Sequence, residues 1–323
     1  MFSVIIPNYN KGRYVEHTLK SIISQSFLDW ECIIIDDFSS DNSIEIINEI
    51  IKNDLRFKLI INNQNRGANY CRNLGLKFSS KKFVLFIDSD DLLTIDCFKN
   101  RLQLISFNNS LDFYVFAVGT FEIEIGDKNS YWDNFRGNLL NRFLSHDLPW
   151  TISSVIWEKK HLKSIGGFNE SYKRLQDVEL HTRALLNHNL NYKLFPESII
   201  DFFYRTDSNK IENYSTFCNN EIDSKIKFTK EFINLIESKK KKYLIGTLFS
   251  CLNSPFNFYQ KGQLNKNELN LILKKIFQHF QDYNMNKMTM VILNFYIYIR
   301  MKKIYFKGLN KITLKLARIY WEL

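Results

Sequence analysis

The 323-residue chain is poor in the residues that break or staple a fold, with 4 prolines, 11 glycines and 5 cysteines. So few Pro and Gly leave no room for long disordered linkers, and 45% hydrophobic content over this length can bury a sizeable core. Cys32, Cys71, Cys97, Cys218 and Cys251 are odd in number and lack the paired spacing of a zinc site or a disulfide framework. They read as reduced, mostly buried thiols in the cytoplasm. No basic segment with a following apolar stretch precedes the first strand, which predicts no signal peptide and a site facing the cytoplasm. No internal repeat of fixed period is found. The apolar run Met288 to Ile299 is about 12 residues long, well short of the ~20 that a spanning helix needs.

What is there begins with Phe83-Val84-Leu85-Phe86-Ile87-Asp88-Ser89-Asp90-Asp91, a β-branched and aromatic run ending in three carboxylates. A continuous apolar run reads as an interior parallel strand, so the acids fall at its carboxyl end, where open α/β sheets bind ligands. Clustered carboxylates repel one another and call for a cation; Asp88 and Asp90 offer hard oxygens suited to Mg²⁺ or Mn²⁺, which can hold a diphosphate. The residues alone leave open an acidic turn capping a helix from Asp96. Phe2 to Pro7 reads as a first strand, followed by Asn8-Tyr9-Asn10-Lys11-Gly12 and a helix with Val15, Leu19, Ile22 and Ile23 on one face. A strand from Trp30 to Ile35 also ends in acids, Asp36 and Asp37. Strands near 2–7, 31–36, 57–61 and 83–87 alternate with helices near 11–26, 42–53, 67–79 and 96–107, the βαβ pattern of a mostly parallel sheet. Residues 111–125 read as strands, Tyr131 to Ser145 as helical, and Pro149 to Trp157 as a further strand. The glycines of Ile165-Gly166-Gly167-Phe168 suit backbone angles that other residues avoid.

Val4-Ile5-Ile6-Pro7-Asn8-Tyr9-Asn10, Ile34-Ile35-Asp36-Asp37-Phe38-Ser39-Ser40-Asp41, Asn65-Arg66-Gly67 with Ala68 to Asn73, and Ile87 to Asp91 together resemble glycosyltransferase family 2. These are nucleotide-sugar enzymes of GT-A fold, a Rossmann-like, mostly parallel α/β sheet flanked by helices. The resemblance runs to about residue 205, implying a catalytic domain over 1–210 and a separate helical C-terminal region over 211–323. It implies that Pro7 and Tyr9 line the nucleotide base, and that Asp37 accepts from a uracil imide. Arg66 and Arg72 would flank base and phosphates, Asp90 would ligate the metal with Asp88, and Asp88 and Asp91 would position ribose, metal waters and sugar. Asp177 in Leu175-Gln176-Asp177-Val178-Glu179-Leu180 matches the family's catalytic base, although Gln176 stands where the family has an acid. An inverting transfer needs such a carboxylate to take the acceptor hydroxyl's proton. Without the resemblance, Asp177 reads first as a helix N-cap. Glu179 is the runner-up carboxylate, expected rather to be solvated or salt-bridged, and His181 is expected to be a packing or surface residue, while Asp207 stands where many relatives carry a metal-proximal histidine.

The resemblance thus implies a hexosyltransferase-type enzyme with a UDP-sugar donor and a saccharide or polyprenyl-diphosphate-linked acceptor, in assembly of bacterial O-antigen, capsule or lipooligosaccharide. The alternative is a catalytically lapsed nucleotide-sugar or membrane-binding assembly protein. A sugar nucleotidyltransferase would need a Gly-rich phosphate loop after the first strand, and Asn8 to Gly12 is not one. From Lys287 onward eight basic residues face one acid, Glu322. Leu309, Ile312, Leu316 and Ile319 recur at helical spacing beside Lys311, Lys315 and Arg318, which fits an interfacial helix on anionic lipid and a peripheral place on the cytoplasmic face of the inner membrane. A packed helical subdomain with a solvated basic rim fits the same residues. No recognition motif accompanies the charge, so nucleic acid is not an expected partner.

Overall fold

The structure is a computed structural model and describes residues 1–107, 111–206, 213–281, 287–302, 308–309, 312–313 and 315–316. Its first part alternates β1 (Phe2–Asn8), α1 (Gly12–Ile23), β2 (Trp30–Asp36), α2 (Ser43–Ile51), β3 (Phe57–Ile61), α3 (Ala68–Phe78), β4 (Phe83–Phe86), β5 (Leu92–Leu93) and α4 (Cys97–Ser106). Then come β6 (Phe113–Phe116), β7 (Val118–Phe121), β8 (Tyr131–Trp132), α5 (Leu139–Leu144), β9 (Val155–Glu158), α6 (Lys159–Ser164), α7 (Gln176–Leu185), β10 (Tyr192–Phe195) and β11 (Phe202–Arg205). The remaining described elements are α8 (Tyr214–Phe232), α9 (Ser238–Lys241), α10 (Leu244–Ser250), α11 (Asn253–Gln260), α12 (Lys266–Gln281) and α13 (Lys287–Met301). The chain forms two compact units, one of Met1–Arg136, Pro149–Ser171 and Arg183–Asp207, the other of Gly137–Leu148, Tyr172–Thr182 and Ser208–Leu323.

In the first unit a seven-stranded sheet runs β10-β6-β9-β4-β1-β2-β3, and a four-stranded one runs β5-β11-β7-β8. β4, β1, β2 and β3 are mutually parallel, and β9 enters antiparallel between β4 and β6. Strand side chains alternate between faces. Ile34 therefore joins Val4, Ile6 and the α1 residues Val15, Leu19 and Ile22 in one core cluster, while Ile33 and Ile35 pack with Cys71 of α3 on the other face. Helices thus cover both faces, as a parallel sheet requires. The chain steps outward from β1 to β2 and β3, then returns to place β4 on the other side of β1. The carboxyl ends of β1 and β4 therefore flank the point where strand order reverses, the usual ligand crevice of such sheets.

The second unit is helical. Within it, buried Lys225 of α8 donates to Ser250 O of α10 at 2.9 Å and pairs with Glu221. All five cysteines are free and buried. Two local expectations need correcting. Tyr131 and Trp132 form a strand, antiparallel to β7, and a helix occupies only Leu139–Leu144 of the stretch expected to be helical. In Pro149 to Trp157, the strand starts only at Val155, after a 3₁₀ turn at Ile152–Ser154 closed by a Thr151–Ser154 capping box.

Candidate active site

The loop after β2 is held by its own acids. Asp36, fully buried, accepts from Asn8 Nδ2 at 2.7 Å, Ser39 N at 2.9 Å and Ser39 Oγ at 2.6 Å. Asp37 accepts from Asn62 Nδ2 at 2.8 Å, Arg66 N at 2.9 Å and Gly67 N at 2.7 Å. The Cys71 thiol of α3 bonds to the same carboxylate, which is buried. Gly67 sits at φ 87°, a left-handed angle that lets its N–H turn onto Asp37 before α3 begins. Asp37 thereby fixes the loop carrying Arg66, whose exposed guanidinium stacks on the Tyr70 ring at 3.8 Å. Tyr9, after β1, is 48% exposed, and Pro7 is half-buried.

The loops after β1 and β4 meet across the crevice. Lys11 Nζ donates to Asp90 Oδ2 at 2.7 Å, and Asp90 is buried. Arg72 of α3, also buried, donates to Asp88 Oδ1 at 2.9 Å and lies over the Phe168 ring at 5.4 Å. Asp91 N–H donates to Asp88 O at 3.0 Å, folding the acids into one tight turn. Asp91 Oδ1 accepts from Arg205 N at 3.1 Å, while Arg205 Nε reaches Asp90 O at 3.2 Å. The acids do not cap the helix after them, because β5 intervenes and α4 starts at Cys97. Asn73 of α3 brackets Phe168, accepting from its N–H and donating to its O, both at 2.9 Å. The two glycines before Phe168 take φ 85° and 65°, as their pattern predicts.

Asn8, Lys11 and Arg205 were not singled out from the sequence. Only the cationic residue just after the first strand hints at Lys11, since its partner lies 79 positions away. Among the described residues no group of three or more His, Cys, Asp or Glu is placed to hold an ion. Mg²⁺ and Mn²⁺ are commonly held through one or two carboxylates plus substrate phosphates. Asp90 and the 47% exposed Asp88 are a donor set of that kind, so the residues fit a metal–diphosphate, and an arriving ion would compete with Lys11 for Asp90.

Asp177 belongs to the second unit. It is the second residue of α7 rather than its cap, is half-buried, and its Oδ1 accepts from Val178 N at 2.9 Å. Glu179 is 3% exposed, so of its two expected states, solvated or salt-bridged, the solvated one fails; Val178, Leu180 and His181, its neighbours in sequence, are buried too. His181 is a packing residue, tilted against the Phe143 ring at 5.5 Å. Asp207 lies outside the described residues.

Residues 3–159 match the family model described as Glycosyl transferase family 2. This part of the chain belongs to glycosyltransferase family 2. The family 2 domain is similar to Escherichia coli WfgD, named UDP-Glc:alpha-D-GlcNAc-diphosphoundecaprenol beta-1,3-glucosyltransferase, with 32% identity over 123 residues, 38% of this chain and 46% of that protein. The solved structure of Staphylococcus aureus TarS 1-349 in complex with UDP covers 99% of this chain and 90% of its own at TM-score 0.63 and 21% identity. The mannosyltransferase PcManGT from Pyrobaculum calidifontis, in complex with GDP-Man and Mn²⁺, covers 98% and 84% at TM-score 0.55 and 14% identity. At these identities the two structures establish the fold, which is GT-A. The chain spans 44%, 46% and 41% of the first curated relatives it matches, under half of each.

Proposed function

We propose that the chain is an inverting, divalent-metal-dependent glycosyltransferase. It moves a sugar from a UDP-sugar to a hydroxyl of a polyprenyl-diphosphate-linked saccharide in bacterial surface-polysaccharide assembly. The observation that carries this reading is the Asp88–Asp91 turn, bound to the loop after β1 through Lys11 and Asp90, at the switch point of a family 2 domain. Asp90 with Asp88 would hold Mg²⁺ or Mn²⁺, which when bound neutralises the leaving diphosphate. Pro7 and Tyr9 bound the base. Asp37 is the carboxylate that the family resemblance offers to a uracil imide; because a buried imide donor must be satisfied, a carboxylate there favours uracil over bases that present no donor. The exposed Arg66 can reach phosphate, whereas buried Arg72 orients Asp88. Asp91, tied to Arg205, holds the turn against the donor sugar and ribose. Asp177 takes the proton of the attacking hydroxyl.

The relative named for a UDP-Glc donor and a diphosphoundecaprenol acceptor supports the donor and acceptor classes, and the fold shared with a GDP-Man enzyme shows that the fold does not choose the base. No helix among the described residues is long and apolar enough to cross a membrane. A lipid-linked acceptor therefore asks for a peripheral position on the cytoplasmic face. The test is a panel of UDP-, GDP- and CMP-sugars with Mn²⁺ or Mg²⁺ and a short-chain prenyl-diphosphate saccharide, read as nucleotide release and product mass. One UDP-sugar is expected to be consumed. Consumption of a GDP- or CMP-sugar instead, or of none, overturns the donor assignment.

A further inference from the structure

Helix α13 has two apolar faces, and only one of them is packed. Thr289, Leu293, Tyr296 and Arg300 are buried. Arg300 Nη2 donates to Asn257 Oδ1 and Nη1 to Tyr296 Oη, both at 2.9 Å, and the Phe249 and Phe256 rings lie 6.5 Å from the Tyr296 ring. On the opposite side, Met288, Val291, Phe295 and Tyr298 are 47%, 60%, 62% and 59% exposed. Steps of three and four residues stack these four into a single stripe. Helical spacing also sets Lys287 and Lys302 at the two ends of the stripe, and both are exposed. The chain has no Asp or Glu from Lys287 to Trp321.

A contiguous exposed apolar stripe marks a surface made to be covered. A second copy of the chain is a poor cover. Antiparallel pairing of two such faces sets Lys287 against Lys302, parallel pairing sets each lysine against itself, and neither offers an acid. An anionic bilayer satisfies both features at once: the apolar side chains enter the acyl boundary while the lysine stems reach out to phosphate headgroups. We infer that the outward face of α13 docks the chain on a membrane surface rich in anionic lipid, with the helix lying in the plane of the interface.

This inference deepens the reading of a polyprenyl-diphosphate-linked acceptor, since such an acceptor is held in a bilayer. Its test uses no sugar transfer, so either can fail alone. The full chain is sedimented with vesicles of phosphatidylcholine, with and without phosphatidylglycerol, at low and high salt, beside Val291→Glu/Phe295→Glu and Lys287→Gln/Lys302→Gln. Wild type is expected to bind the phosphatidylglycerol vesicles, to ignore the neutral ones and to release in salt. The glutamate pair is expected to bind about tenfold or more weakly, because two large apolar side chains no longer enter the interface. The glutamine pair is expected to bind severalfold more weakly, with a flatter salt dependence. Circular dichroism checks folding; should the glutamate pair unfold, the exposed lysine pair decides. Wild type indifferent to anionic vesicles, or variants binding as wild type, overturns the inference. A wild-type dimer that the glutamate pair dissolves, without vesicle binding, assigns the stripe to a second copy instead.

Discussion

Lys11 and Asp90 are 79 residues apart and form a 2.7 Å ion pair at the mouth of the crevice. Because an ion at Asp90 must displace that ammonium, Lys11→Met is expected to tighten nucleotide-free Mn²⁺ binding by about tenfold, a partly screened fraction of the Coulomb energy at this range. Lys11→Arg, which keeps the charge, should stay near wild type. Mn²⁺ titration by electron paramagnetic resonance reads both, and equal affinities for wild type and Lys11→Met would remove Lys11 from the metal site. Asp90→Asn should abolish transfer and metal-linked UDP binding with little change in melting temperature, since Lys11 can turn to water; full turnover in excess EDTA would contradict the metal role. Asp177→Asn keeps shape and should leave UDP-sugar affinity nearly unchanged while lowering turnover by ~10² or more. Near-normal turnover in that variant would send the search for the base elsewhere. Glu179, at 3% exposure, is a poorer substitute than its position in sequence implies.

Among the elements, α4 and the residue just before β11 are joined by a buried ion pair. Arg101 Nε donates to Asp201 Oδ1 at 3.1 Å, with 1% and 3% of the two side chains exposed, and the guanidinium lies over the Phe116 and Phe202 rings. Asp201→Ala leaves that charge buried without its carboxylate, so urea unfolding should show a loss of about 3–5 kcal/mol. A change below about 1 kcal/mol would mean that Arg101 finds solvent. The first four strands and helices stand within a few residues of their sequence expectations, since each carries a full period of apolar side chains. The misread elements are those whose existence is a pairing. β8 is two residues long and exists through its bonds to β7, and β9 is short because a capping box delays its start.

At the scale of the whole molecule, the fully buried His181 and the half-buried His146 weaken the fold in acid. Burial draws the His181 pKa down to about 3, and burial followed by the charge of Lys225 holds His146 well below its ordinary value. Both are neutral when folded. Below pH ~6.5 the unfolded chain takes up protons that the folded chain refuses, so their contribution is complete above that pH and is lost as pH falls toward 3. Each histidine can cost up to about 1.4 kcal/mol per pH unit in that window. Urea midpoints at neutral pH and near pH 5 should differ accordingly, and His181→Phe should remove part of the slope. An unchanged slope would show that His181 is protonated in the folded state. In the C-terminal region α13 packs one face and exposes another, and most of the Leu309 to Ile319 stretch expected as an interfacial helix lies outside the described residues.

Taken alone, the amino-acid sequence determined the α/β class, the order of the early strands and helices, and the acids that end β2 and β4, because periodicity and strand-end chemistry are local properties. It singled out Pro7 and Tyr9 at the end of β1 and just after it, Asp37, Arg66, Asp88, Asp90 and Asp91 in loops, and Arg72 in α3. Tertiary structure decided which of these side chains hold the crevice together. Asp37 pins the Arg66 loop, Asp91 ties Arg205, Arg72 is buried against Asp88, and Lys11 closes on Asp90. Those partnerships cross many positions of chain and depend on strands lying side by side. A hydrogen bond between the ends of two strands leaves no periodic trace in either one.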